Sequence, residues 1–452
     1  MSWDFTSLLD ITGGIPVKEA TLPYIQERNR WKSDAFITDS RHAVQGKIFI
    51  AINGQVHKGI TFILQALEQG SDGVIVNKSE INSLYMEIIS RFPAFCIGVN
   101  DTTLAYGKLA HERSAQLKGI KIALTGSSGK TTCKEMLRSA LSLHGKTFAS
   151  DKNYNNHIGL PASILSAPED CAYYIFELGM NHAGEIAHLS RILRPDISII
   201  TNVYPVHIEF FNGEEEIARA KAEVFTGQKK GGAVFLNANN MHSARIADAA
   251  KNAELKVIYF NAESLTKKKE LIPSGMKNPS DLDNIALVCA VDGYFGISTE
   301  KTLSALQSFA PPEGRFSLVH SNPVIIDDAY NANPVSMKFS VQKFCKDFGI
   351  EKKICLVLGD MFELGSHSEK YHRETGVFLR ELTHTLPRCT IVLAGKYMEY
   401  AHREVTSNWF PDRELALAYL ISHENKADAY LFKASHGMLF QNLLKEFLCS
   451  IT

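Results

Sequence analysis

The stretch Lys121–Thr132, KIALTGSSGKTT, decides how the chain is interpreted, because a strand, a glycine-rich turn and a helix meet in it. The apolar run Lys121–Leu124 predicts a buried strand, and the spacing that follows predicts a helix beginning near Lys130. Backbone N–H groups in such a turn can bind phosphate. Only two residues separate Gly126 from Gly129, fewer than the usual G-x-x-x-x-G-K-[ST] loop has. The stretch predicts either a shortened phosphate loop or a Gly/Ser turn beside a surface lysine.

The composition is that of an ordinary globular protein. The 452 residues are 45% hydrophobic and 21% charged, which is enough chain for two or three domains. The net charge of −1 offers no basic excess for a nucleic-acid or membrane-surface partner. Eight scattered cysteines without a C-x-x-C pair, no long apolar run and no signal-peptide pattern lead us to expect a cytoplasmic monomer without membrane insertion.

Apolar strand-like segments alternate with helical ones in three blocks, which predicts an α/β protein with parallel sheets. We expect domains at 1–118, 119–311 and 312–452, because a helical pattern at Asp101–Lys118 and the break Pro311–Gly314 separate the blocks. The predicted strands are Lys47–Ile52 and Gly73–Val76 in the first block; Lys121–Leu124, Ala172–Phe176, Asp196–Ile200, Ala233–Leu236 and Leu255–Phe260 in the second; and Val324–Ile326, Lys353–Leu358, Thr390–Leu393 and Ala429–Phe432 in the third.

Three ionisable residues follow strands of the central block. Glu177 ends one strand and is either a metal-binding carboxylate or a solvated strand-end charge. His207, just after the next strand, is either structural or a metal ligand, although Mg²⁺ prefers oxygen. Lys221 lies 14 residues later on a helix, where a lysine is usually solvated. Because parallel strands end at one edge of a sheet, we expect these residues to lie near the glycine-rich loop.

Polar clusters elsewhere point to a substrate. The segment Asn153–Pro161, NYNNHIGLP, could bind sugar hydroxyls or peptide groups, or could cap a helix with its asparagines. The segment Asp327–Pro334, DDAYNANP, offers acids, an aromatic ring and amides for a nucleoside or polar substrate, or is a capped turn. Arg315 follows the interdomain break and could reach a phosphate across a cleft.

Together these motifs resemble the Mur ligase family. The similar strings cover nearly the whole chain and are DSR (39–41), TGSSGKTTCKEM (125–136), FELGMNHAGEI (176–186), TNVYPVH (201–207), KAE (221–223), DDAYNANPVSM (327–337) and LGDMFELG (358–365). The shortened loop is this family's own form. The last two strings are similar to the branch of the family that adds D-Ala-D-Ala to UDP-MurNAc-tripeptide.

The resemblance implies a three-domain enzyme. It implies a small α/β N-terminal domain for the UDP-sugar, a central doubly wound, P-loop-type ATPase sheet and a C-terminal Rossmann-like sheet for ATP and the incoming dipeptide. The implied cofactors are ATP and Mg²⁺, and the implied reaction is amide ligation with release of ADP and phosphate. An acyl phosphate is the implied intermediate, because a carboxylate alone is a poor acylating agent. Positioning and charge neutralisation would dominate such chemistry.

The resemblance also implies roles for individual residues. The implied ATP-binding residues are Gly126, Ser127, Ser128, Gly129, Lys130, Thr131, Thr132, Asn284, Arg315, Asp328 and Tyr330. The implied catalytic or metal-side residues are Lys130, Thr131, Glu177, His207 and Lys221, the last matching a lysine that is carbamylated in the family. The implied substrate residues are Ser40, Arg41, Asn153, Asn155, Asn156, His157, Asn331 and Asn333.

Two of the departures from the family pattern affect implied contacts, the first to adenine and the second to substrate. Ser280 and Asp281 stand where the family often has His-Asn, and His436 stands where it usually has arginine. Two other functions stay open at this point. The chain could be a related ligase that adds a single amino acid, or an ATP-binding switch that forms no amide. A kinase that releases a phosphorylated product is a further option.

Overall fold

The computed structural model describes residues 2–18, 30–54, 56–151, 154–276, 278–386, 388–422 and 427–451. The first part of the chain forms a sheet of order β2-β7-β6-β5-β4, in which β2 is antiparallel and the other pairs are parallel. A short ribbon pairs β1 with β3. The elements are β1 Ser2–Trp3, α1 Phe5–Thr12, β2 Ile15–Lys18, β3 Trp31–Lys32, β4 Phe36–Ile37, β5 Ile48–Ile50, α2 Ile63–Glu68, β6 Gly73–Asn77, α3 Ser83–Ser90, β7 Phe95–Val99 and α4 Thr102–Gln116.

The central sheet has six parallel strands in the order β13-β12-β11-β8-β10-β9. Strand β8 lies between β10 and β11, so the chain crosses from one side of β8 to the other and opens a crevice at the strands' carboxyl ends. The elements are β8 Ile120–Thr125, α5 Lys130–Leu141, β9 Thr147–Ala149, α6 Gly159–Ser166, β10 Tyr173–Glu177, α7 Glu185–Leu193, β11 Ile197–Ile200, α8 Glu214–Ala222, β12 Ala233–Asn237, α9 Ser243–Asn252, β13 Lys256–Phe260, α10 Pro279–Tyr294 and α11 Thr299–Ala305.

Helices cover both faces of the central sheet, which explains its uniformly apolar strands. Ile122 and Leu124 of β8 are buried in a core that includes Met136 of α5. Ala123, between them, belongs to a second core that includes Leu189 of α7. Side chains of one strand therefore alternate between two cores, and β8 is fixed at the centre of the domain.

The last part of the chain forms a sheet of order β14-β15-β19-β16-β17-β18, parallel except for the edge strand β14. Its elements are β14 Ser317–Ser321, β15 Val324–Asp327, α12 Pro334–Phe348, β16 Ile354–Gly359, α13 Ser368–Thr383, β17 Cys389–Ala394, α14 Met398–His402, β18 Asn408–Phe410, α15 Arg413–Ile421, β19 Ala429–Lys433 and α16 Phe440–Ile451. The predicted α/β class with parallel sheets is confirmed, while the domain boundaries at 118 and 311 stay predictions.

Two expectations about the environment can be compared with the fold. The free thiols include Cys96, Cys133, Cys171, Cys289, Cys345, Cys355 and Cys389. Across the described parts of the chain, none of the helices combines the length and the apolar character needed to cross a bilayer.

Candidate active site

The loop between β8 and α5 has a backbone that only glycine fits at two positions. Gly126 and Gly129 have φ angles of 150° and 78°. A Cβ atom at Gly126 would lie 1.9 Å from the Thr201 Oγ1 atom, and one at Gly129 would lie 2.9 Å from the Asn284 Oδ1 atom. Gly129 is also the residue that precedes the first turn of α5. The loop therefore brings its backbone against its neighbours and leaves the N–H groups of the helix start available for an anion.

The segment after β11 holds this loop in place. The Ser128 N–H donates to Asn202 Oδ1 at 2.8 Å, and the Thr201 hydroxyl donates to the Ser128 carbonyl at 2.8 Å. The Tyr204 N–H donates to Ser127 Oγ at 2.9 Å. Sequence reasoning did not include Thr201 and Asn202 among the site residues, although the motif TNVYPVH had marked the segment. Their role is visible only once β8 and β11 are known to be neighbours.

Lys130 folds back over the loop. Its Nζ atom donates to the Gly126 carbonyl at 2.8 Å. Burial lowers the pKa of Lys130, the Glu177 carboxylate opposes that shift, and Arg315 adds to it. A cation enclosed by the loop that it serves is well placed to neutralise phosphate charge.

Glu177, at the end of β10, forms a polar cluster with the loop. Its Oε2 atom accepts from the Thr131 hydroxyl at 2.9 Å, and its Oε1 atom accepts from Asn155 Nδ2 at 2.8 Å. Both carboxylate oxygens are thus oriented by neighbours, and the carboxylate and hydroxyl are the oxygen donors that Mg²⁺ prefers. Asn155, which is predicted to bind substrate, makes a contact that orients Glu177.

Lys221, on α8, is buried, with 2% of the residue exposed. Burial lowers its pKa well below the usual value, and nearby Lys130 lowers it further. Burial in this position therefore favours the neutral form of the amine over the charged one. The residue is therefore not the solvated helix lysine that its sequence context alone favoured.

His207 connects the central and C-terminal sheets. Its Nδ1 atom lies 2.5 Å from the Glu363 Oε2 atom, and the imidazole lowers the pKa of the Glu363 carboxyl. The neighbouring Ile208 packs in the core of the C-terminal sheet. The backbone N–H of Glu209 donates to the Glu363 carbonyl at 3.3 Å. This short segment, Ile208–Phe210, joins the two halves of the site at one edge.

Arg315 reaches the phosphate loop from the C-terminal side. Its Nη2 atom donates to Thr131 Oγ1 at 3.4 Å, and its guanidinium carbon lies 3.8 Å from the centre of the Tyr330 ring. Asp328 accepts from Lys433 Nζ at 2.6 Å, and the same ammonium donates to the Asn331 carbonyl at 3.1 Å. Lys433 is therefore a positioning residue that the site predictions omitted.

Two asparagines that were predicted to bind substrate accept hydrogen bonds from backbone N–H groups of the residues that follow them. The Asn156 Oδ1 atom accepts from the N–H groups of Ile158 and Gly159, just before α6. The Asn333 Oδ1 atom accepts from the N–H groups at the start of α12 and forms a capping box with Ser336. The sequence left two roles open for both residues, helix capping and substrate binding. Their amide oxygens act in helix capping.

The site residues surround one cleft of about 870 Å³ between the central and C-terminal sheets. Its predicted members are Ser127, Ser128, Gly129, Lys130, Thr132, Asn155, Asn156, His157, Glu177, His207, Asn284, Arg315, Asp328, Tyr330, Asn331 and Asn333. Gly126, Thr131 and Lys221 lie behind this lining.

The two described residues predicted near the UDP group are outside the cleft lining. The Ser40 hydroxyl donates to Gln65 Oε1 at 2.8 Å, and exposed Arg41 pairs with Asp39. Asn153, also predicted to bind substrate, lies outside the described residues.

The chain is similar to proteins of known function over most of its length. Residues 124–290 match the Mur ligase middle domain, and residues 314–436 match the Mur ligase glutamate ligase domain. The UDP-N-acetylmuramoyl-tripeptide–D-alanyl-D-alanine ligase of Bacillus subtilis is 30% identical over 430 residues, which are 91% of this chain and 92% of that protein.

Solved structures show the same architecture. A crystal structure of MurF from Acinetobacter baumannii superposes with a TM-score of 0.82 at 28% identity, covering 99% of each chain. MurF from Thermotoga maritima in complex with ADP shares the fold, with a TM-score of 0.74 at 24% identity over 92% of this chain and 97% of that one. The resemblance seen in the motifs is confirmed: this protein belongs to the Mur ligase family and is one of its ligases.

Proposed function

We propose that this protein is an ATP-dependent ligase that joins the amino group of D-Ala-D-Ala to UDP-MurNAc-tripeptide in peptidoglycan precursor synthesis. The name of the Bacillus subtilis relative supports the choice of substrates. The observation that carries the proposal is the shared cleft, in which a phosphate loop of one sheet faces the Asp328–Asn333 segment of another. Arg315 spans the gap by its contact with Thr131.

ATP would occupy the cleft with its phosphates at the loop. The glycine backbone and the start of α5 offer N–H donors, and Lys130 and Arg315 offer positive charge. Asp328 and Tyr330 would contact the nucleoside from the C-terminal sheet, and Asn284 would contact it from α10. These assignments follow the predicted roles, and the donors in place fit a triphosphate.

Mg²⁺ would sit beside Thr131 and Glu177, with His207 and a carbamate on Lys221 on the same side. The described residues gather no set of three or more His, Cys, Asp or Glu side chains for a metal. Mg²⁺ at nucleotide sites commonly takes only one or two protein carboxylates together with phosphate oxygens. When bound, the ion would neutralise charge that develops on the transferring phosphoryl group.

A carbamate would give Lys221 a chemical role that fits its burial. The neutral amine adds to the carbon of CO₂, one proton leaves, and the side chain becomes an anion with two oxygens. An anion would then offset the positive charge of nearby Lys130. Burial favours this conversion, because it keeps the free amine unprotonated before the addition.

The reaction divides into two substitutions. A carboxylate oxygen of the tripeptide attacks the γ-phosphorus, the bond to ADP breaks, and an acyl phosphate forms. The neutral amine of D-Ala-D-Ala then attacks the acyl carbon, phosphate leaves, and the amine loses one proton. Lys130 and Arg315 would stabilise negative charge, while the paired domains would hold the reactants together and exclude water.

The remaining assignments follow the same plan. We assign residues 1–118, with Ser40 and Arg41, to the UDP group; 119–311 to ATP; and 312–452 to ATP and the dipeptide. Asn153, Asn155, Asn156 and His157 would face the muramoyl-peptide, while Asn331 and Asn333 would face the dipeptide. The proposed location is the cytoplasm, the proposed state is a monomer, and no nucleic-acid partner is proposed.

Phosphate release tests this function directly. We expect release from ATP and Mg²⁺ to require both UDP-MurNAc-tripeptide and D-Ala-D-Ala. Single amino acids at the same concentration serve as the matched control. Release that is equal without any acceptor would favour an ATP-binding switch, and release driven by a single amino acid would favour another ligase of the family.

A further inference from the structure

An ion pair between Asp281 and Lys343 crosses from the central to the C-terminal domain. The Lys343 Nζ atom lies 2.7 Å from the Asp281 Oδ2 atom, and it also donates to the Gly275 carbonyl at 3.1 Å. Asp281 is on α10 and Lys343 is on α12. Their side chains are only 16% and 13% exposed, so water screens the pair less than it screens an ordinary surface ion pair.

The same ammonium group covers an aromatic ring. Lys343 Nζ lies 4.4 Å from the centre of the Phe316 ring, within the range of a cation–π interaction. Phe316 has a φ angle of 57°, a left-handed conformation that is unfavourable for a bulky residue. Its N–H donates to Asp328 Oδ1 at 3.0 Å. Phe316 is therefore held in a strained conformation by its ring on one side and its backbone on the other.

Arg315 directly precedes Phe316, so the direction of the Arg315 side chain depends on the strained backbone of Phe316. Its guanidinium group stacks on Tyr330 and reaches Thr131 in the phosphate loop. Its Nε atom is buried, without a hydrogen-bond partner in the described part of the protein. The group thus lines the cleft, and no carboxylate of the described residues forms an ion pair with it.

We propose that the Asp281–Lys343 pair is a positioning device that fixes Phe316 between the two domains and thereby aims Arg315 at the transferring phosphoryl group. The inference rests on the proposed ATP-dependent function, and it adds two positioning residues to the reaction. Neither residue needs to touch the reacting atoms. Asp281 is one of the positions at which the chain departs from the family pattern.

Steady-state kinetics of Lys343→Met and Asp281→Asn test the proposal. Losing one partner of a partly buried pair should lower kcat by at least about fivefold. KM for D-Ala-D-Ala should stay within about twofold, because neither residue is among those assigned to the dipeptide. Lys346→Met, an exposed lysine change on the same helix, is the control and should leave both constants unchanged. Lys343→Arg should restore most of kcat, because arginine keeps both the ion pair and the cation–π contact.

A double-variant cycle with Arg315→Lys separates positioning from general stability. If the pair acts through Arg315, the kcat of the Lys343→Met, Arg315→Lys double variant should be only slightly lower than the kcat of Arg315→Lys alone. Full additivity of the two effects would overturn the proposal, as would an unchanged kcat in both Lys343→Met and Asp281→Asn. If Lys343→Met fails to fold, Asp281→Asn carries the same cycle, because it removes the charge that pairs with Lys343 and leaves the lysine side chain itself unchanged.

Amide formation and phosphate release by the parent protein distinguish failure of this inference from failure of the proposed function. A parent protein that releases phosphate but forms no amide would end the ligase assignment, yet the cycle could still be measured on phosphate release. If the parent protein ligates normally and the variants have the same kcat as the parent, only the positioning role would be contradicted.

Discussion

Nδ1 of His207 lies 2.5 Å from Oε2 of Glu363, so a residue after a central strand is paired with the loop that follows β16 of the C-terminal sheet. A carboxylate that holds one ring nitrogen of a histidine fixes its orientation and leaves the other nitrogen for a ligand. This arrangement gives the predicted metal-side role of His207 a physical basis. It also makes that role depend on how the two domains are placed.

Glu363→Gln should therefore weaken the binding of Mg²⁺. We expect the Mg²⁺ concentration for half-maximal phosphate release to rise by about tenfold, the usual scale for losing a residue that orients a metal ligand. Glu209→Gln, a neighbouring exposed acid, is the control. An unchanged Mg²⁺ dependence with a lowered kcat would mean that the His207–Glu363 pair contributes to the contact between the domains and not to metal binding.

Lys130→Met should remove ATP turnover while leaving the fold intact. The ammonium is enclosed beside the Gly126 carbonyl, and no other lysine of the loop can replace its charge at the phosphates. We expect phosphate release to fall by at least about 100-fold. Circular dichroism should match the parent, because methionine fills similar space without the cost of burying a charge. Turnover within tenfold of the parent would contradict the role of Lys130.

Lys221 provides a test of the carbamate. Intact-protein mass spectrometry under native, bicarbonate-containing conditions should show one CO₂ adduct, and Lys221→Met should lack it. Phosphate release by Lys221→Met should fall by about 100-fold. Lys221→Glu, which restores an anion, should recover more activity than Lys221→Met. Equal activity of the two variants, with no adduct in the parent, would rule out an anionic role at this position.

Asp292 should make stability depend on pH. Burial raises its pKa to about 6, while the Thr302 hydroxyl opposes the shift. The pKa of Asp292 in the folded protein lies above the unfolded value of 3.8. The contribution of Asp292 to the free energy of unfolding is therefore largest below about pH 4 and decreases as the pH rises to about 6. Above about pH 6 this contribution no longer changes with pH. The loss amounts to about 3 kcal/mol.

Asp292→Asn isolates this effect, because an amide does not titrate and can still accept from Thr302. Relative to the parent, the variant should gain melting temperature as the pH rises from 4 to 6.5 and then stay level. Asp360, whose pKa burial also raises to about 6, remains in both proteins and cancels in the comparison. A parent–variant difference that does not change with pH would contradict the assignment.

The sequence contained enough information to predict the main strands and the phosphate loop, because their apolar runs and glycine spacing are local signals. It did not show β9 or β18, which have only three residues each and take their conformation from pairing with β10 and β17. A strand of three residues has too little periodicity to be recognised, and tertiary pairing supplies what the local pattern lacks.

The site could be predicted as a set of motifs, but its internal contacts could not. Asn156 and Asn333 were compatible both with binding substrate and with capping a helix, and their amide oxygens accept from N–H groups at helix starts. The contacts of Glu363 with His207 and of Lys433 with Asp328 join residues that are far apart in the chain. Such pairs depend on which strands are neighbours and on how two sheets face each other, which no local pattern specifies.

The most direct test of the central claim follows oxygen atoms through the reaction. UDP-MurNAc-tripeptide carrying ¹⁸O in its acyl-donor carboxylate is incubated with ATP, Mg²⁺ and D-Ala-D-Ala, and both products are analysed by mass spectrometry. An acyl-phosphate ligase must deliver one ¹⁸O to the released phosphate, keep one in the new amide carbonyl and yield a nucleotide product heavier by one alanyl-alanine unit. Phosphate without ¹⁸O, or no pentapeptide product, would contradict the account.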